Sequence, residues 1–301
     1  MSAPKINLRS PLTIYGGKYR MVSYIMPLIY AADPLRYVEP CAGGAQLTFA
    51  LKPHKKEVIN DINNNLVAFF RVLKQNPNAL AKKVIATPFS RAEFNRAREI
   101  FFSTKKHSDL DRAWAAWAAC TMGFAHDPGS WGIDHHGKGE NALKNRRADF
   151  AKLKDKFAER LGTVSIENED VLTVIKRYDS PQTLFFIDPP YFNSDMNFYT
   201  GYTKEQFLQL LGLLQKIKGK FILTSYPSPE LEKYTHANKW RTRKILFRIS
   251  VNNKKGVKPR NKTEVITWNF DESKHALNGF DGNTHPAFMI ARLLQMFVFQ
   301  H

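Results

Sequence analysis

Short apolar runs recur along the chain, each stopped by a polar residue or proline, with amphipathic stretches between them. The clearest is Thr-Leu-Phe-Phe-Ile at 183–187, which stops at Asp188-Pro189-Pro190-Tyr191. A run without polar interruption reads as a strand buried on both faces, as in a parallel sheet. Lesser strands are expected at 36–39, 58–59, 164–167 and 221–224. Between them 46–51 and 204–217 read as helices, and in the second Phe207, Leu208, Leu211 and Leu214 share one face at helical spacing. Alternating strands and helices predict an α/β fold with a mostly parallel sheet. The segments 244–251 and 264–270 read as a terminal antiparallel pair, and 287–299 as an apolar helix covering the sheet.

Between 75 and 161 the texture changes to helices rich in Ala, Arg, Lys and aromatics, most regular at 92–102 and 111–122. The break in alternation predicts a helical domain at 75–162, inserted into a discontinuous domain formed by 1–74 and 163–275. Residues 276–301 then form a C-terminal helix packed on the discontinuous domain. A loop at 125–139 carries His126, Asp127, Asp134, His135 and His136 among glycines. No helical i, i+4 pair preorganises these groups, so no metal is expected, and a mobile polar loop able to reach into a groove is the better reading.

Two stretches carry candidate chemistry. In the first, a short strand runs through Glu39-Pro40-Cys41-Ala42-Gly43-Gly44 into a helix, the opening of a Rossmann-like unit with its ligand over the helix N-terminus. Asp61 follows the next strand, about 20 residues on, where such folds place a carboxylate on ribose hydroxyls. Upstream, the paired glycines of Tyr15-Gly16-Gly17-Lys18 allow close backbone approach, and Lys18 suits a carboxylate; taken alone, an ordinary turn is the simpler reading. The second stretch is the corner after 183–187. Its two prolines fix φ and remove two backbone donors, leaving a rigid turn. The Asp188 carboxylate, the Pro189 carbonyl and the Tyr191 ring there suit a flat, amino-bearing ring: two acceptors for the amine and one face for stacking.

Composition changes the picture in one respect. A hydrophobic share of 43% is ordinary for a globular chain, but a formal net charge of +18 points to a polyanionic partner, most simply nucleic acid. Candidate phosphate contacts are Lys138, Lys144, Arg146 and Arg147, together with Lys254, Lys255, Lys258 and Arg260 in a stretch from Trp240 to Lys262 that has no acidic residue. The N-terminus has no apolar signal-peptide core, and no run approaches the roughly 20 apolar residues of a membrane span. Cys41 and Cys120 give neither a disulfide framework nor metal-ligand spacing, which fits a reducing cytoplasm.

Asp188-Pro189-Pro190-Tyr191 after a hydrophobic strand resembles the catalytic motif of amino-methyltransferases that use S-adenosylmethionine, and the order of segments is similar to that of the Dam-type DNA adenine-N6 methyltransferases. The matching positions are the Gly-Gly-Lys segment, Glu39, Pro40, Gly43, Asn60, Asp61 and Asn63. The chain departs at Ile14 and Cys41, where aromatics are usual, and at Ala45, where a second glycine is usual. The resemblance implies a Rossmann-like methyltransferase sheet whose inserted helices recognise the target. It assigns catalysis to Asp188, Pro189, Pro190 and Tyr191, and cofactor binding to Tyr15, Lys18, Glu39, Pro40, Cys41, Gly43, Asp61, Asp170, Val171 and Asp188, with Asp170 on the cofactor's adenine amine. It further implies S-adenosylmethionine as cofactor, double-stranded DNA as partner with the target base flipped out onto Tyr191, no metal or membrane, and a cytoplasmic setting in a bacterial or phage-infected cell. The oligomeric state stays open between monomer and weak dimer. The corner alone does not separate adenine-N6 from cytosine-N4 or RNA amines. A catalytically silent DNA-binding protein of the same fold is the reading from another class, and the joint presence of Asp188, Tyr191, Asp61 and Lys18 counts against it.

Overall fold

A computed structural model describes residues 7–132, 138–193, 202–248 and 261–273. Among them, in chain order, the strands are β1 (Arg36–Glu39), β2 (Lys56–Asn60), β3 (Val164–Glu167), β4 (Thr183–Ile187), β5 (Lys220–Ser225), β6 (Arg241–Arg248) and β7 (Asn261–Trp268). The helices are α1 (Val22–Ala32), α2 (Gln46–Ala50), α3 (Asn64–Gln75), α4 (Pro77–Ile85), α5 (Arg91–Phe102), α6 (Asp109–Met122), α7 (Lys138–Leu161), α8 (Val171–Tyr178), α9 (Lys204–Leu214) and α10 (Pro229–Asn238). The chain divides into two compact units, the first containing Ser23–Val38 and Ile175–His301, the second Lys5–Val22 and Glu39–Val174.

In the first unit the strands run in the order β1-β4-β5-β7-β6. β1, β4 and β5 are parallel, with Arg36 opposite Thr183 and Leu184 opposite Lys220. Every residue of β4 is buried, as its uninterrupted apolar run predicts. The expected antiparallel pair forms three residues earlier, and the later strand lies inside: β7 pairs with both β5 and β6. Burial explains that order, since Val265-Ile266-Thr267-Trp268 are all buried, whereas Arg241, Thr242, Lys244 and Leu246 of β6 are exposed. Charged side chains on an outer strand also discourage pairing with another chain. α9 begins with a reciprocal cap between Thr203 and Gln206, and α10, which the apolar pattern does not announce, begins at Ser228-Pro229.

In the second unit β2 and β3 pair in parallel, Glu57 opposite Val164 and Asn60 opposite Glu167. One core joins Phe49 of α2, Phe69 and Phe70 of α3, Trp114 and Trp117 of α6, and Phe150 and Phe157 of α7. Phe157 meets Phe49 edge-on at 5.9 Å, so the helices of 75–162 share this core with the helix that follows the glycine turn. The Trp114 indole, buried with the rest, satisfies its N–H on Thr87 Oγ1 at 2.8 Å.

The end of α7 is fastened by a buried ion pair. Arg160 grips Glu57 with two bonds, 2.6 and 2.8 Å, and donates a third to the Thr48 carbonyl. Burial alone would raise the Glu57 pKa; hydrogen bonds from His54 and Arg160, with the Arg160 charge, outweigh it and hold the carboxyl below its usual range. A carboxyl depressed in the fold contributes stability above its unfolded pKa and loses that contribution as pH falls through the folded one. Arg160→Ala therefore strands a buried carboxylate and lowers unfolding free energy by about 3–5 kcal/mol at neutral pH. Urea denaturation at pH 7 and pH 4 checks this: the wild type loses part of its advantage on acidification, and an unchanged midpoint in the variant at pH 7 would refute the assignment.

Candidate functional site

In the first unit the chain leaves β4 through Asp188-Pro189-Pro190-Tyr191, with Pro189 buried and Asp188 and Tyr191 half-buried. The β4–β5 register sets Ile187 opposite Leu223, which brings Thr224 abreast of Asp188. The Thr224 hydroxyl donates to Asp188 Oδ1 at 2.6 Å. The Tyr191 hydroxyl donates to the same oxygen at 3.3 Å and lies 3.5 Å from Glu264 Oε2 on β7. Burial, followed by the Asp188 and Glu264 charges, pushes the Tyr191 phenol well above its usual range, so it remains a protonated donor. Its ring meets Tyr226 edge-on at 4.4 Å, and Lys262 Nζ stands over the Tyr226 ring at 4.5 Å. Thr224, Tyr226 and Glu264 are additions that sequence reasoning missed, and Lys262 enters it only as part of the basic stretch, because strand register, not spacing, brings them to the corner.

The second unit gathers the other predicted residues around the glycine turn and the end of β2. Gly43 adopts φ +51° and its N–H donates to Asp61 Oδ2 at 2.8 Å, while Asn63 N–H donates to Oδ1 at 2.9 Å. Burial raises the Asp61 pKa against the opposing pull of backbone bonds from Asn63, Gly43 and Ile62. Asn60 ties three segments together: its amide donates to the carbonyls of Pro40 and Glu169 at 2.8 and 3.0 Å and accepts from Glu169 N–H at 2.9 Å. Asn168, also unforeseen, donates to the Asp61 carbonyl at 2.8 Å.

Several predicted contacts have work inside the fold. Glu39 is buried, and its Oε1 accepts from the backbone N–H of Thr48 at 2.6 Å and from the Thr48 hydroxyl. Asp170 is exposed and caps α8, accepting from Leu172 and Thr173 N–H at 2.9 and 3.3 Å; Val171 is the first residue of that helix. Lys18 is buried and donates to the Gly16 carbonyl at 2.7 Å. Tyr15 donates its backbone N–H to the His126 carbonyl at 3.2 Å, and Cys41 is half-buried. On α7, Arg146 donates to Thr13 Oγ1 and Arg147 to the Thr87 carbonyl, both at 2.8 Å, while Lys144 is exposed.

The Lys138 side chain, Asp134, His135, His136, Lys254, Lys255, Lys258, Arg260 and the segment 287–299 lie outside the described residues. Among the described residues no group of His, Cys, Asp and Glu could hold a metal, and no helix is long and apolar enough to cross a membrane. Cys120 is buried, its thiol pushed up to about 12 by burial and by Asp127.

Comparison with known proteins gives the geometry a context. Residues 15–258 match the family of D12 class N6 adenine-specific DNA methyltransferases. Type II methyltransferase M1.LlaDCHI of Lactococcus lactis subsp. cremoris is 26% identical, over 88% of this chain and 97% of its own. Type II methyltransferase M.MjaIII of Methanocaldococcus jannaschii is 24% identical, over 64% of this chain and 72% of its own. The solved structure of PH1948 from Pyrococcus horikoshii overlays 89% of this chain and 91% of its own at 11% identity with a TM-score of 0.39, a likeness too distant to inform the reading.

Two neighbouring positions of the glycine turn respond differently to substitution. A Cβ on Gly44 would sit 2.5 Å from the Leu12 carbonyl oxygen, a backbone atom without room to move, so Gly44→Ala destabilises the turn. Ala45 already occupies the left-handed region at φ +49°. Ala45→Gly relieves about 1–2 kcal/mol of that strain, but it adds about 0.5–1 kcal/mol of unfolded-state freedom and gives up a buried methyl worth roughly 0.8 kcal/mol, leaving stability within about 1 kcal/mol. Paired denaturation curves check the contrast; equal behaviour of the two variants would contradict it.

Proposed function

This chain belongs to the D12 class N6 adenine-specific DNA methyltransferase family, and from that premise we propose that it is a site-specific enzyme moving the methyl group of S-adenosylmethionine onto the N6 amine of an adenine flipped out of double-stranded DNA. Adenine methylation in DNA comes with membership, and it decides between the amines that the motif alone left open. The identity of the donor, the duplex substrate and the residue roles are our reading. The observation that carries it is Asp188 at the end of a fully buried strand, with one carboxylate oxygen accepting from Thr224 and Tyr191.

The N6 lone pair is delocalised into the purine ring, so the amine is a poor nucleophile. Asp188 and the Pro189 carbonyl each accept one amine hydrogen, which favours a pyramidal nitrogen with its lone pair available. The same two acceptors stabilise the positive charge that develops on nitrogen during displacement, and Asp188 is the acceptor at hand for the proton the alkylated nitrogen loses. Tyr191, backed by Tyr226, supplies an aromatic face for the extruded base. Pro190 keeps the corner rigid.

S-adenosylmethionine, when bound, supplies an electrophilic methyl group on a sulfonium. The donor set around Asp61 fits its nucleoside end: backbone N–H groups brace both carboxylate oxygens, and the carboxylate keeps acceptor capacity for a ribose hydroxyl. Gly43 and Pro40 contribute backbone to this wall, with Cys41 beside them. Glu39 acts through Thr48, and Asp170 with Val171 through the start of α8, so these three shape the pocket. Tyr15 and Lys18 belong to the same unit and complete the proposed cofactor set. Lys144 and the basic stretch from Trp240 to Lys262 supply phosphate contacts that fix register on the duplex.

Asp188→Ala should reduce transfer of labelled methyl groups to DNA by about a hundredfold or more, while calorimetry still detects S-adenosylmethionine binding; undiminished transfer would sink the amine grip. Asp61 offers a pH test. Its carboxyl accepts ribose hydroxyls most strongly when it is ionised, and burial lifts its pKa above the usual aspartate range. Cofactor affinity should therefore weaken as pH falls through that raised value. Asp61→Asn should bind weakly without the pH dependence, and a variant with wild-type affinity would remove Asp61 from the site.

A further inference from the structure

We propose that Thr224 is the positioning residue for methyl transfer, holding the Asp188 carboxylate in the one orientation that receives the amine; this rests on the amine-grip reading above. Thr224 is wholly buried near the end of β5, and its hydroxyl is 2.6 Å from Asp188 Oδ1. The Ile187 carbonyl is farther, at 3.5 Å, and the Tyr191 hydroxyl also lies in reach, so the 2.6 Å bond makes the carboxylate the main partner. A β-branched side chain in a strand has a restricted χ1, so the backbone fixes where the hydroxyl points.

Asp188 lacks that restriction. It follows the last residue of β4, and a carboxylate χ2 is broad and nearly two-fold. A charge-assisted bond of this length selects one setting of the carboxylate plane. Tyr191 adds a second donor to the same oxygen, but at 3.3 Å and from a loop residue, so it constrains less. The adjacent Ser225 separates this role from a general preference for hydroxyls at the strand end: its Oγ is buried and has no hydrogen-bond partner among the described residues. Only the hydroxyl on the Asp188 side has a carboxylate to hold.

Orientation of a group that acts in the transition state appears in kcat more than in binding. Thr224→Val keeps shape and removes the donor; Thr224→Ser keeps the donor; Thr224→Ala removes it without the bulk of valine and is read the same way should the valine variant not fold. With kcat expressed per active site from single-turnover amplitude, loss of the donor should lower kcat by about tenfold or more, with the KM for DNA and the Kd for S-adenosylmethionine within about twofold. Thr224→Ser should return kcat to within about threefold of wild type. A merely structural role would lower thermal stability and leave kcat per active site unchanged. Wild-type kcat in either variant lacking the donor, or failure of serine to restore it, overturns the proposal. Asp188→Ala assayed alongside keeps the two readings apart: an inactive Asp188→Ala with a fully active Thr224→Val rejects Thr224 alone, whereas an active Asp188→Ala rejects the grip itself.

Discussion

A carboxylate placed where a buried strand ends has to be met by donors, and much of the first unit can be understood from how that is done. β4 is buried along its whole length, and the chain emerges from it at a carboxylate that is already half-buried. An ionised group at that exit is tolerated only if hydrogen bonds replace water. The parallel partner supplies Thr224, the corner returns Tyr191, and the inner antiparallel strand brings Glu264 to the Tyr191 phenol. Placing β7 next to β5 is therefore more than a way of finishing the sheet. An outer position for the apolar Val265–Trp268 stretch would expose it and would take Glu264 away from the corner.

The second unit answers a similar demand with backbone. Asp61 is held by backbone N–H groups, one from a glycine at positive φ and others from the first residues after β2. Asn60, its neighbour, reaches the Pro40 carbonyl on one side and both polar groups of the Glu169 peptide on the other. One side-chain amide thus fixes the spacing of three loops that approach each other only through the fold. Arg160 extends the same framework, joining the end of α7 to β2 and to the Thr48 carbonyl, while Thr48 in turn holds Glu39. The long basic helix and the glycine turn are members of one buried network.

Much of this was legible in the amino-acid sequence, and the division between legible and illegible is physical. β4 could be read because burial on both faces leaves no polar residue in the run, and the corner because two prolines allow few alternatives. Asp61 could be placed because the distance from a glycine turn to the end of the next strand varies little. Thr224 could not, because its pairing with Asp188 depends on the register between strands about 35 residues apart in sequence, and no local pattern encodes that. α10 left a cap signal at Ser228-Pro229 but no strong apolar stripe. Charge counting found the cations of α7 without distinguishing Lys144, which faces solvent, from Arg146 and Arg147, whose guanidinium groups end on Thr13 and Thr87.

Ala45 illustrates how a departure from a motif can leave the motif's geometry intact. A glycine is expected there because the backbone is left-handed, and alanine at φ +49° carries a steric cost of about 1–2 kcal/mol. The methyl group responsible is fully buried, packed in the core that includes Phe49 and Phe69, and burying a methyl group returns roughly 0.8 kcal/mol. The backbone bonds on either side survive: Ala45 N–H donates to the Ala42 carbonyl, and the Ala45 carbonyl accepts from Phe49 N–H as α2 begins. Packing thus offsets part of the strain at one residue while the path of the turn is preserved. Because Gly43 still donates to Asp61, the path of this turn is set by main-chain direction, which the alanine does not alter.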